Sequence, residues 1–178
     1  MCVIVIKKGG QKRPPYQMLK ACALANPDGF GFCTPNKSFR SLDFEVFFNE
    51  LQKVSRSEPC VMHFRFATHG SVRESNCHPF YDKDTNTWFA HNGILNILPY
   101  KGKTDSETAF RKYIVPAIKT YGFTSEDTDS VTNNLRGASK FAMLNGKKIR
   151  LFGEYMKFND YLCSNLRFVP YLWCVQWS

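Results

Sequence analysis

The chain opens on an apolar, β-branched run, Val3 to Ile6, whose continuity predicts a buried strand at the amino end. Gly9 to Pro15 follows as a basic loop punctuated by Gly-Gly and Pro-Pro. Tyr16 to Ala25 carries a mixed pattern compatible with a short helix, and Asn26-Pro27-Asp28-Gly29 places Pro and Gly where a type I turn wants them. Phe30 to Thr34 reads as a strand. Phe44, Phe47, Phe48, Leu51 and Val54 recur at helical spacing, so Asp43 to Val54 is expected to be an amphipathic helix. Cys60 to Thr68 alternates as a strand does, with Cys60, Met62, Phe64 and Phe66 on one face and Val61, His63 and Arg65 on the other.

Further on, Phe80-Tyr81 and Thr87 to His91 flank a polar turn and predict a hairpin. Glu107 to Tyr121 has a helical pattern that Pro116 should kink or end. Asn145-Gly146, between Phe141–Leu144 and Lys148–Phe152, is the strongest short hairpin signal in the chain. Tyr155–Phe158 and Tyr161–Cys163 flank a second tight turn at Asn159-Asp160. Strands at both ends with helices between them predict an α+β fold with largely antiparallel sheets, and residues 1–178 are expected to form a single domain.

Composition changes this picture little. A content of 43% hydrophobic and 22% charged residues is that of an ordinary globular protein and excludes a disordered chain. The seven cysteines are odd in number and irregularly spaced, which argues against a disulfide framework and for a reducing, cytoplasmic setting. The first apolar run is too short for a signal-peptide core, so neither export nor membrane association is expected. A formal charge of +9 favours acidic partners, nucleic acid among them, but the basic residues are scattered in clusters such as Lys7-Lys8 and Lys147-Lys148. They read better as a solvated surface than as a binding stripe, and a basic nucleic-acid-binding domain without catalysis remains the non-enzyme alternative.

Several residues could carry chemistry. Cys2 would, on removal of Met1, bear a thiol and a free α-amine on one residue, and that amine titrates near neutrality and can serve as its base. Its other reading is a small buried hydrophobe. Arg65, between two phenylalanines, has a planar fork suited to a carboxylate, or to an internal salt bridge. His91-Asn92-Gly93 offers an amide donor beside a residue that lets backbone approach a ligand, or simply ends a strand. Asp105 lies in Thr104-Asp105-Ser106-Glu107, where Asp or Thr could be a helix N-cap and Glu107 could close a capping box with Thr104. A zinc set of His63, His69, Cys77 and His78 matches no familiar spacing.

Taken in order, these strings resemble the class II glutamine amidotransferase family. The resemblance rests on Met1-Cys2, Arg65-Phe66-Ala67-Thr68-His69-Gly70, Asn76-Cys77-His78-Pro79, His91-Asn92-Gly93 and Thr104-Asp105-Ser106-Glu107, with Asn26-Pro27-Asp28-Gly29-Phe30-Gly31 resembling a segment of small members. It implies the four-layer αββα sandwich of N-terminal-nucleophile hydrolases. It also implies Cys2 as nucleophile with its α-amine as base, and the Asn92 side chain with the Gly93 amide as oxyanion hole. Arg65 would take the glutamine α-carboxylate, Asp105 its α-ammonium, and Thr68 and His69 would line the same pocket. Phe66 stands where the family usually has Trp, which predicts a looser aromatic lid. No cofactor or metal is implied. Glutamine is the expected substrate and a separate synthase the expected ammonia acceptor. Hydrolysis of another amide by the same kind of nucleophile is the enzyme alternative.

Overall fold

The computed structural model describes residues 1–67 and 71–175. Its strands, in chain order, are β1 (Val3–Lys7), β2 (Phe30–Cys33), β3 (Ser38–Ser41), β4 (Cys60–Phe64), β5 (Phe80–Asp82), β6 (Thr87–Asn92), β7 (Lys140–Asn145), β8 (Lys148–Phe152), β9 (Met156–Phe158) and β10 (Tyr161–Cys163). The helices are α1 (Tyr16–Ala25), α2 (Phe44–Leu51), α3 (Asp105–Ala109), α4 (Val115–Tyr121), α5 (Glu126–Arg136) and α6 (Leu172–Val175). Among the described residues the strands form a six-stranded sheet, ordered β3-β2-β4-β1-β10-β9, and a four-stranded sheet, ordered β5-β6-β7-β8. All the pairings are antiparallel.

Alternation along the strands builds the layers. In β1, Val3 and Val5 face α1 and α2, while Ile4 and Ile6 face the other sheet. In β6 and β7, Phe89, Phe141 and Met143 pack against α3 and α4, while Ala90, Ala142 and Leu144 meet Ile4, Ile6 and Val61 between the sheets. Helices thus cover the outer faces of two stacked sheets, giving a four-layer αββα sandwich. The outer layer on the first sheet is rich in phenylalanine. Phe30, Phe44, Phe47 and Phe64 meet edge-on or tilted, with ring centroids 5.5–6.1 Å apart.

Several local expectations change. Pro116 neither ends nor breaks its helix. The chain widens into a π-helical turn at Phe110–Ile114, and Pro116 then falls in the first turn of α4, where a missing N–H is tolerated. The strand expected to reach Thr68 stops at Phe64, and Phe66 is 43% exposed, whereas Cys60, Met62 and Phe64, placed on the same face by alternation, are buried. Asn145 pairs with Lys148, so Gly146 and Lys147 form the hairpin loop. Lys7, read with Lys8 as part of a solvated surface, is buried, and its ammonium donates to the carbonyls of Arg56 (2.9 Å) and Glu58 (2.6 Å). That arrangement satisfies a cation in place of water and ties the α2–β4 connection to β1.

Candidate active site

Cys2 precedes β1 at the point where the two sheets meet the loop after β4. Its Sγ accepts from the Phe66 amide at 3.3 Å and lies 3.5 Å from the Phe66 carbonyl. Burial raises the thiol's pKa, and the Phe66 N–H and the positive charges of the terminal amine and Arg65 offset only part of that rise. The thiol is therefore held neutral and needs a base beside it to react.

The Phe66 loop is fixed from the other side by the Asn26–Gly29 turn. Arg65 N–H donates to Gly29 O at 2.8 Å, Asp28 N–H to Arg65 O at 3.0 Å, and Ala67 N–H to the Asp28 carboxylate at 2.7 Å. This clamp ends β4 and turns Phe66 outward over Cys2. Asp28, which the sequence placed in a turn and in a segment resembling one of small family members, holds this loop through its carboxylate.

Cys2, Arg65, Phe66, Ala67, Gly93 and Asp105 line one small cleft. Arg65 is buried, and its Nη1 donates to Ser71 O at 3.2 Å. Asn76, on the same wall, donates to that carbonyl at 3.0 Å. Gly93 follows β6 with φ of +145°, and a Cβ there would lie 2.2 Å from Ser139 Oγ, so both backbone angle and space require glycine. Asn92 points between the sheets, where Nδ2 donates to Ser164 Oγ at 2.9 Å, and Ser164 Oγ also accepts from Ile4 N at 2.9 Å. An amide NH₂ carries two hydrogens, so this bond orients the group without exhausting it. Ser164 carried no sequence signal, because its role exists only once β1, β6 and the chain after β10 meet.

Asp105 is the first residue of α3. Thr104 is the N-cap, its hydroxyl accepting from Glu107 N at 3.1 Å. The Glu107 carboxylate pairs with Lys103 and Arg111 at 2.9 Å each, so only half of the expected capping box forms. Asp105 accepts from the amides of Leu95 (3.0 Å) and Ser106 (2.7 Å), which hold its carboxylate at the cleft. Thr68 and His69 lie outside the described residues.

The inner wall is histidine. His78 and His91 line the cleft, and the His63 and His78 rings meet at a tilt of 42° with centroids 4.2 Å apart. His63 Nε2 contacts the His91 carbonyl at 3.0 Å, and His91 Nδ1 contacts Ser106 Oγ at 2.7 Å. Burial drives the pKa of His63 down to about 3 and that of His91 to about 4, the latter partly restored by Asp105, and His78 falls well below its ordinary value. Among the described residues no group of His, Cys, Asp and Glu has the arrangement to hold a metal ion, so the zinc set gains no support there. No described helix is long and apolar enough to cross a membrane.

Two stacked antiparallel sheets with helices on their outer faces thus hold Cys2 and Asp105 at one cleft. Residues 35–166 match the sequence model of the class-II glutamine amidotransferases, and the chain belongs to that family. Among solved structures, the glutamine phosphoribosylpyrophosphate amidotransferase of B. subtilis, complexed with ADP and GMP, is 21% identical with a TM-score of 0.58. The match covers 92% of this chain and 41% of that one. An allosteric regulatory enzyme of purine biosynthesis is 17% identical, with the same coverage and a TM-score of 0.58. A "predicted glutamine amidotransferase" from Pseudomonas aeruginosa PA01 is 20% identical over 90% of this chain and 78% of that one, with a TM-score of 0.51. At such identities the likeness is one of fold, and the chain spans about two fifths of the first two of these proteins. No curated protein matches it.

Proposed function

We propose that the chain, acting as one domain over residues 1–178, hydrolyses the side-chain amide of glutamine through Cys2 once Met1 has been removed. The observation that carries this reading is the convergence of Cys2, Arg65, Gly93 and Asp105, far apart in sequence, on one cleft in a class II amidotransferase chain.

Arg65 takes the substrate α-carboxylate and Asp105 the α-ammonium, which places the side-chain amide towards Cys2. The Cys2 α-amine removes the thiol proton as sulfur bonds to the amide carbon. The carbonyl electron pair moves to oxygen, where the Gly93 N–H and the second Asn92 N–H stabilise it. Collapse breaks the C–N bond, and the proton held by the α-amine goes to the departing nitrogen, releasing ammonia. Water then attacks the γ-glutamyl thioester, giving glutamate and restoring the thiol. The ammonia so released is available to a separate synthase; without one the chain acts as a glutaminase alone.

The test is glutamate release by protein whose intact mass shows whether Met1 is gone. The processed chain should hydrolyse glutamine, while the Met1-bearing chain, whose Cys2 nitrogen is an amide, should be inactive. A processed, folded chain without glutaminase activity overturns the reading, and activity undiminished by Cys2→Ala overturns the nucleophile.

A further inference from the structure

Beside the glutamine cleft lies a second one of about 280 Å³, and the two share the Asn76 wall. Arg40, Arg73, Lys103 and Arg111 line it together with a single carboxylate, Glu107. Elsewhere Lys20–Glu45, Lys119–Asp84 and Arg150–Asp129 pair one to one, while Lys37 and Lys53 share Glu50. Here Lys103 and Arg111 both bond the same oxygen, Glu107 Oε1, at 2.9 Å. Four unit positive charges against one negative leave the cleft with a formal excess of three.

The cations are held at fixed places. Arg73 Nη2 donates to Gly102 O at 3.1 Å, which links the segment before Asn76 to the loop before α3. Arg40 donates to Pro79 O and lies over the Phe80 ring, its Cζ 5.5 Å from the centroid. Burial lowers the Arg40 pKa, Glu107 partly restores it and Arg111 opposes it, so this guanidinium sits where its charge is under-compensated. A concave wall of one sign focuses the field and concentrates counter-ions. Arginine forks match the oxygens of a tetrahedral dianion better than those of a lone halide, and bond it with charge assistance. Phe80 and Tyr81 complete the lining of the same cleft.

We propose that this cleft binds the phosphate group of a small phosphorylated molecule, next to the place where ammonia is released. Lys103 immediately precedes the Thr104 cap and the Asp105 that faces the glutamine cleft, so an anion held there also braces the start of α3. The site goes beyond the glutaminase reading and stands on its own residues.

The experiment is calorimetric titration of the full chain with inorganic phosphate and pyrophosphate, ionic strength held constant with chloride, alongside Arg73→Gln and Arg111→Gln. Both side chains are exposed, so both variants should fold. Saturable one-to-one binding is expected, with pyrophosphate the tighter ligand and each variant at least about tenfold weaker, the loss expected for one charge-assisted bond. A third variant, Lys147→Gln, removes an exposed cation remote in sequence from the cleft and should bind as the parent does. Absence of saturable binding, or binding that survives both arginine changes, overturns the proposal. Because the readout is binding, its failure is distinct from a failure to hydrolyse glutamine.

Discussion

Gly93 shows how closely the site constrains single residues. Its positive φ and the 2.2 Å approach that a Cβ would make to Ser139 Oγ act together. Gly93→Ala should therefore cost on the order of 1–3 kcal/mol and, on the proposed mechanism, should lower turnover, because the N–H given to the oxyanion moves with the backbone. Thermal unfolding and glutaminase kinetics on the same sample check this, and a variant with parental stability would mean the turn relaxes freely. Asp28 makes a different demand. Its carboxylate accepts from Ala67 N–H, and the loop so fixed presents Phe66 to the Cys2 sulfur. Asp28→Ala should lose about 1–2 kcal/mol and, on the proposed mechanism, lower kcat more than it raises KM, since it displaces the surroundings of the Cys2 sulfur more than the Arg65 and Asp105 side chains. Asp28→Asn retains an oxygen acceptor and should recover most of both. Equal loss in the two variants would show that the charge, not the acceptor, matters.

At the scale of elements, α3 carries Asp105 into the cleft on a start fixed by Thr104. Thr104→Ala should cost about 1 kcal/mol, as for other N-caps, and should raise KM for glutamine, because the carboxylate at the first helical position loses its anchor. A folded variant with unchanged KM would leave Asp105 positioned by Leu95 and Ser106 alone. The same element shows where sequence was informative. Thr104 to Glu107 announced a helix start because capping is local chemistry, and Phe44 to Val54 announced α2 because its buried face repeats at helical spacing. By contrast, α5 buries only Thr128 and Thr132, so its residues show no apolar stripe. Ser125 as cap and the acidic first turn were the signals that could have located it. Strand β3 is a short edge of polar and aromatic residues, paired by β2 and not by any pattern of its own. Phe66 was set on one face with Cys60, Met62 and Phe64 by extending the alternation of β4, since nothing local revealed that the strand would end at Phe64. Cys2, Arg65, Gly93 and Asp105 were legible as a family pattern, whereas Ser164 and the clamp at Asp28 depend on contacts between distant segments.

Across the whole molecule, three of the four histidines meet in the interior beside the active site, and their burial couples folding to pH. His63, His78 and His91 are all depressed below the ordinary 6.5, by burial first and then, for His78, by mutual repulsion and by Arg40 and Arg65. In the unfolded chain each takes up a proton as pH drops through 6.5, while in the folded chain His91 resists to about 4 and His63 to about 3. Between those limits the unfolded state binds more protons, so stability is fully present above 6.5 and is lost as pH falls. Each such group contributes a slope of about 1.4 kcal/mol per pH unit, and three together roughly 4 kcal/mol per unit near pH 5. Against a total stability of about 5–15 kcal/mol, that slope should weaken the fold measurably between pH 6.5 and 5. Urea unfolding at pH 7.5, 6.0 and 5.0 measures it directly. His78→Leu removes one of the three protons, so in a folded variant the slope should fall by about a third. A stability that stays flat from pH 6.5 to 5 would mean the histidines are already charged or hydrated in the folded state, and the buried, neutral histidine wall of the cleft would have to be abandoned.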